Sequence, residues 1–190
     1  FKDAFEELGG RVIGEESFPL TQTDVRTEIT KLKPSNPDTI LNLHGTGPVL
    51  GNLMKQAKEL RLDVKWISSF GAQNVPLVKE FGDVVEGMVY PYPYDGGFEV
   101  EGVRNFNELY QKRFSELPDM TAANSFDALS VLVKSIEKAG ENPTNVKLEL
   151  LKVKDYPGTS GTFSFDQNGD VEKPIIIKQI QDGKFVTVAE

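Results

Sequence analysis

Between residues 24 and 86, short β-forming runs alternate with amphipathic helical stripes, joined by brief loops, and this alternation constrains the fold more than any other feature. Val25, Ile29 and Leu32 make one stripe, opened by Thr23 or Asp24 as N-cap and closed by the turn Pro34-Ser35-Asn36-Pro37-Asp38. Thr39-Ile40-Leu41-Asn42-Leu43 reads as a strand, 44–48 as a loop, and 49–60 as a helix burying Leu50, Leu53, Met54 and Ala57. Val64 to Ile67 is the next strand, Ser68-Ser69-Phe70-Gly71 its exit loop, and 76–81 a short helix. The pattern predicts the α/β class, with a parallel sheet covered by helices on both faces. Ligands of open α/β sheets gather outside the carboxyl ends of the strands, so the loops at 44–48 and 68–71 should face one cleft.

Elsewhere the signals are more varied. Phe1, Ala4, Phe5 and Leu8 lie at i, i+3, i+4 and i+7, a helical stripe ended by Gly9-Gly10 as C-cap. This stripe starts at full strength with no N-cap before it, which predicts that the chain continues upstream. Arg11 to Phe18 reads as a short strand. From Gly87 the texture changes, with Tyr90, Tyr92 and Tyr94 alternating with Pro91 and Pro93. Two prolines remove two backbone donors, so 90–97 is expected to be an extended connector rather than a central strand, and the division between domains. The three tyrosines share one face of an extended chain, either as cleft contacts or as connector packing. Helices follow at about 99–117, 121–139 and 145–154, then a strand at 161–165 and two terminal strands joined by Asp182-Gly183.

Several function classes are excluded by composition. Acidic residues exceed basic ones, 29 against 21, for a net charge of −8, which opposes binding to a nucleic-acid backbone. No apolar run reaches the roughly 18 residues of a membrane span, so no insertion is expected. With no cysteine, disulfides and thiolate chemistry are ruled out. His44 is the single histidine, without a nucleophile motif or metal-ligand spacing beside it, so neither a metal nor a cofactor is expected. Asp166-Gln167-Asn168-Gly169-Asp170 has its glycine too early for a calcium loop and reads as a turn. Gly45-Thr46-Gly47, between strand and helix, presents N–H groups and the positive end of a helix dipole to an anionic ligand group, or serves only to make the bend.

A family resemblance is carried by a series of segments in order. Phe5 to Glu16, Asp24 to Asp38 (with Ile29-Thr30-Lys31-Leu32-Lys33 and Asn36-Pro37-Asp38), Lys55 to Leu60 and Val85-Glu86-Gly87-Met88 resemble the second lobe of type I periplasmic binding proteins, the leucine/isoleucine/valine-binding family. Ala122 to Leu129 and Ile136 to Gly140 are similar to the family's returning helix, and Phe165 to Asp170 to its late turn.

The resemblance implies two α/β lobes joined by hinge strands, with the first lobe incomplete here. Residues 1–89 would be the second lobe lacking its first strand, 90–97 the hinge crossing and 98–165 the returning part of the first lobe. Residues 166–190 would hold the turn, the last crossing and the terminal strands. It further implies an extracytoplasmic, or periplasmic, solute-binding protein of an ABC importer, a lipid anchor, where there is one, lying in a segment before residue 1. Its partners would be a small solute, the ABC permease and the missing first-lobe segment. A receptor's ligand-sensing domain of the same fold, or an α/β enzyme, are the alternatives. Expected ligand contacts are His44, Gly45, Thr46, Gly47, Ser69, Phe70, Tyr92 and Asn124. Relatives of this kind grip an amino acid's ammonium with a carboxylate where this chain has Phe70. A phenylalanine there suits an apolar or aromatic carboxylate, or an amide, as well as something amino acid-like. The same reading leaves the stripes at 106–114 and 126–136 short of a covering sheet.

Overall fold

The computed structural model describes residues 1–43 and 47–189, with Ala189 described through its backbone alone. The chain forms two compact units, one of 1–91 with 177–188 and the other centred on 92–176, and it passes between them after Pro91 and after Ile176.

The first unit is built on a five-stranded sheet in the order β1-β2-β3-β7-β8. Its strands are β1 (Thr39–Asn42), β2 (Lys65–Ser68), β3 (Val89–Tyr92), β7 (Ile176–Gln181) and β8 (Lys184–Ala189). β1 and β2 run parallel from Thr39 opposite Lys65 to Asn42 opposite Ser68, and β2 runs parallel to β3. Its helices are α1 (Lys2–Glu7), α2 (Arg26–Leu32), α3 (Pro48–Glu59) and α4 (Val75–Phe81). The expected α3 stripe of Leu50, Leu53, Met54 and Ala57 is buried throughout. Val25 and Ile29 of the α2 region pack on Leu53 and Ala57, with Phe18, Leu60, Leu62 and Trp66 closing over them. A buried amide fixes that junction: Gln56 Oε1 accepts from the Val25 amide at 2.7 Å, while Nε2 donates to the Thr23 carbonyl at 2.7 Å.

Three expectations need correction. Arg11 to Phe18 forms no strand. Gly14 lies against Leu32 and Ser35, and Glu16 pairs with Lys31 at 3.0 Å, so the segment packs along α2 instead of beside a sheet edge. Residues 89–92, expected as a connector, form β3 at the centre of the sheet. Gly87 and Met88 together oppose Ile180: the Gly87 amide donates to the Ile180 carbonyl at 2.9 Å and the Ile180 amide to the Met88 carbonyl at 3.0 Å. With Gly87 at φ +80°, this two-against-one pairing is a glycine bulge. Alternation then turns Val89 and Pro91 toward β2. Val89 is opposite Ile67 and β2 ends at Ser68, so Pro91 falls one position past the last residue of β2, where its missing N–H costs the ladder only the final bond. Finally, the sheet is mixed and not wholly parallel, because β7 and β8 form a hairpin. Asp182 and Gly183, at φ +50° and +70°, make its turn, the backbone that a type I′ turn demands.

The second unit holds α5 (Glu101–Phe114), α6 (Met120–Ala139) and α7 (Pro143–Leu150) with an antiparallel sheet of β4 (Tyr156–Gly158), β5 (Gly161–Phe165) and β6 (Val171–Glu172). Asp166 forms the β5–β6 turn, its carboxylate accepting from the amides of Asn168 and Asp170 at 2.8 Å each. Asp127 on α6 is buried and accepts from the Thr159 and Ser160 amides, binding the β4–β5 turn to the helix. Leu109, Phe114, Phe126, Leu129, Leu132, Val133 and Ile136 remain exposed on α5 and α6.

Candidate functional site

Because β1 and β2 are parallel and end in register at Asn42 and Ser68, the segments that follow them leave the same edge of the sheet side by side. Gly47 begins α3 at φ +54° and ψ −125°, a backbone that glycine adopts and a side chain resists. A β-carbon there would lie 3.4 Å from Asn74 Oδ1, so the start of α3 rests against the start of α4. Asn74 in turn caps α4, its Oδ1 accepting from the Leu77 amide at 2.9 Å. Ser69 and a single 3₁₀ turn, Phe70–Ala72, connect β2 to this cap. From β3, the Tyr90 hydroxyl donates to Gln73 Oε1 at 3.2 Å.

Two features of this rim point to a ligand. Ser68 Oγ is buried and, among the described residues, is the one buried side-chain nitrogen or oxygen with no hydrogen-bond partner. Phe70, next but one along the chain, leaves 53% of its surface exposed. The run from Ser68 to Asn74 carries no charged side chain. Such a surface offers hydroxyl and amide groups beside an apolar wall and nothing to neutralise an ammonium.

Of the expected ligand contacts, His44, Gly45 and Thr46 lie outside the described residues. The structure brings Gly47, Ser69 and Phe70 to one edge of the first unit. Tyr92 is the last residue of β3, at the point where the chain passes into the second unit, and Asn124 belongs to that unit. Tyr92 is buried, and burial raises its phenol pKa. Asn124 is half-buried on α6 and accepts from Lys173 Nζ at 3.3 Å; Lys173 also donates to Ser160 Oγ at 2.9 Å, and burial lowers its pKa. Ser68 lay in the exit loop expected at the cleft without being one of the expected contacts, and sequence reasoning missed Gln73 and Asn74. Asn74 was detectable, since an asparagine followed by Val75-Pro76 is an N-cap with proline in the first turn. The roles of Ser68 and Gln73 gave no signal, because they depend on burial and on a partner from another strand. Gly51 on α3 is a packing residue: a β-carbon there would lie 2.3 Å from the Phe81 ring. Among the described residues, no cluster of three His, Cys, Asp or Glu side chains is arranged to hold a metal ion, and no helix is long and apolar enough to cross a membrane.

Comparison with known proteins gives a consistent relation. The profile of the family described as "Periplasmic binding protein" matches residues 1–184. The chain is 26% identical over 172 residues to the leucine-, isoleucine-, valine-, threonine- and alanine-binding protein of Pseudomonas aeruginosa, covering 90% of this chain and 45% of that protein. It superposes on the crystal structure of the leucine-binding protein LivK of Thermotoga maritima with a TM-score of 0.88 and 26% identity, covering 98% of this chain and 53% of that one. A likeness of fold extends to an ABC-transporter solute-binding protein of R. palustris solved with 4-hydroxybenzoate, with a TM-score of 0.82 and 24% identity over 100% of this chain and 54% of the other. The chain thus spans about half the length of the curated relatives it matches. Matched along almost its whole length, the chain belongs to the periplasmic binding protein family, in its type I leucine/isoleucine/valine-binding branch.

Proposed function

We propose that these residues are the back portion of an extracytoplasmic solute-binding protein that delivers a small organic solute to an ABC permease, without covalent chemistry. In this reading 1–89 form most of the second lobe and 90–97 a hinge crossing. Residues 98–165 return to the first lobe, and 166–190 make the last crossing. The solute is held by closure of the two lobes. On this side its contacts are the 44–47 turn, Ser68, Ser69 and Phe70; from the other side come Tyr92, Asn124 and loops of a first-lobe segment. That segment also covers the exposed α5 and α6 faces.

The observation that carries the reading is the pairing, at one sheet edge, of the unpartnered Ser68 hydroxyl with the exposed Phe70 ring. The rim has no carboxylate to bind an ammonium, so the favoured solute is an apolar or aromatic carboxylate, or an amide. The test is calorimetric titration of the protein carrying its first lobe with α-amino acids, small aromatic carboxylates and amides. A stoichiometric complex, recovered chemically unchanged, is expected from the aromatic carboxylates or amides. Turnover of the ligand would show an enzyme, and tightest binding by α-amino acids would overturn the assignment of solute class.

A further inference from the structure

The chain carries a net charge of −8, yet one concavity in the second unit reverses that sign. A cleft of about 410 Å³ opens between α6 and the α7–β4 connection, and Lys134, Lys138, Lys152 and Lys154 line it, with Glu149 as its lone carboxylate. Lys152 pairs with Glu149. The ammonium groups of Lys134, Lys138 and Lys154 have no carboxylate partner within the lining, which leaves three positive charges on one concave surface.

Ordinary helix chemistry accounts for part of this arrangement. Lys138 occupies the last turn of α6, where the helix dipole favours a cation. A helix C-terminus supplies only about half a negative charge, so it does not balance three full ones. The lysines are also not saturated as donors. An ammonium carries three N–H groups. Lys134 Nζ gives one to Tyr156 Oη at 3.0 Å and sits 4.7 Å from the centre of that ring, and Lys154 gives one to the Phe165 carbonyl. Tyr156 accepts from Lys134, so its own O–H is left to donate. Together the lining offers several N–H and O–H donors and three positive charges without a carboxylate partner in it. Val131 and Val153 add an apolar margin.

We propose that this cleft binds a phosphoryl-bearing anion, either free or as the headgroup of a lipid. A tetrahedral phosphoryl group accepts from several donors at once, and lysine ammoniums serve it as point charges. The volume falls within the range of small-molecule sites and exceeds what a bare phosphate fills, so an organic group is accommodated beside the apolar margin. The inference is independent of the solute reading, since every residue in it belongs to the second unit.

The test uses the protein carrying its first lobe, at constant ionic strength. Glycerol 3-phosphate and inorganic phosphate are titrated while amide shifts are followed, and co-sedimentation is measured with phosphatidylglycerol and with phosphatidylcholine vesicles. Saturable shifts confined to 131–138 and 149–157 support the site. So does an affinity weakened about ten-fold or more in Lys134→Gln/Lys138→Gln, but not in a Lys55→Gln/Lys58→Gln control on α3. Binding only to phosphatidylglycerol vesicles, lost in the same cleft variant, assigns the phosphoryl group to a lipid. Absence of binding in both arms overturns the proposal, as does equal weakening by the two double variants. If the cleft variant does not fold, the shift map of the unaltered chain decides, and shifts scattered over both units count against the site.

Discussion

Asp127 holds Thr159 through a single carboxylate oxygen, which accepts the Thr159 amide at 2.7 Å and its hydroxyl at 2.9 Å. The other oxygen accepts the Ser160 amide at 2.8 Å. The fit is close enough to require glycine next door, since a β-carbon on Gly158 would fall 2.6 Å from Asp127 Oδ2. Replacing Asp127 by alanine strands two buried amides, while the Thr159 hydroxyl keeps the Ala123 carbonyl at 3.1 Å, and hydrogen bonds to a charged acceptor contribute roughly 1.5–3 kcal/mol each at most. Asp127→Ala is expected to lower stability by about 3 kcal/mol in urea unfolding, within the range of a broken buried network. Asp127→Asn should lose less, because its oxygen still accepts while its amide opposes the Ser160 N–H. An unchanged midpoint in both variants would mean the turn is held by other contacts.

Gly51 and Phe81 make a second steric relation, between α3 and α4. A methyl group at 51 would sit 2.3 Å from the Phe81 ring, a distance no side-chain contact tolerates. Gly51→Ala gains helix propensity worth about 1 kcal/mol. Overpacking opposes it at about 1–3 kcal/mol, so a net loss is expected. Phe81→Leu alone should also destabilise. In the double variant the two losses should combine to less than their sum, as a double-mutant cycle by chemical denaturation would reveal.

Burial pushes the Tyr94 phenol up to about 12 from its ordinary 10.0, with Tyr92 and Asp95 adding to the effect. Its hydroxyl donates to Asn107 Oδ1 at 3.2 Å. The unfolded chain releases this proton near pH 10.0 and the folded protein near 12, so the folded state binds more protons in that window. The contribution is therefore complete below pH 10.0 and is lost as pH rises toward 12. Tyr94→Phe should unfold about 1 kcal/mol more readily at neutral pH through the lost hydrogen bond. Its stability should also fall less steeply above pH 10.0 than that of the unaltered protein. Urea midpoints on both sides of that pH check the sign, and parallel curves would contradict it.

At the sheet edge, Phe70 and Ser68 are expected to separate ligand affinity from folding. Phe70 is more than half exposed, so Phe70→Ala should change stability by no more than about 0.5 kcal/mol. In the protein carrying its first lobe, the same change should weaken solute binding about ten-fold, the effect of losing an aromatic contact of some 1.4 kcal/mol. Ser68→Ala removes a buried hydroxyl that has no partner among the described residues, so its stability should hold or rise while affinity falls. Thermal unfolding paired with calorimetric titration reads both quantities. A large loss of stability in Phe70→Ala, with affinity intact, would assign the ring to the core.

Local chemistry in the sequence determined much of this protein. The α3 stripe of Leu50, Leu53, Met54 and Ala57, the Gly9-Gly10 cap, the Asp182-Gly183 turn and the shared edge at which β1 and β2 end all follow from periodicity, backbone preference or parallel alternation, which act within a few residues. Tertiary structure decided what depends on partners distant in the chain. Pro91 could enter the centre of a sheet because β2 stops at Ser68 and a bulge at Gly87 sets which way each residue faces, facts recorded in other strands. Arg11 to Phe18 had the residues of a strand but met a helix, and without a neighbouring ladder no strand forms. Ser68 became a candidate ligand group only once burial removed water from its hydroxyl and no acceptor among the described residues replaced it. The four lysines of the cleft, between 134 and 154, are separated along the sequence and come to border one open hollow only because α6 and the α7–β4 connection pack together, since charge density is a property of volume and not of order along the chain.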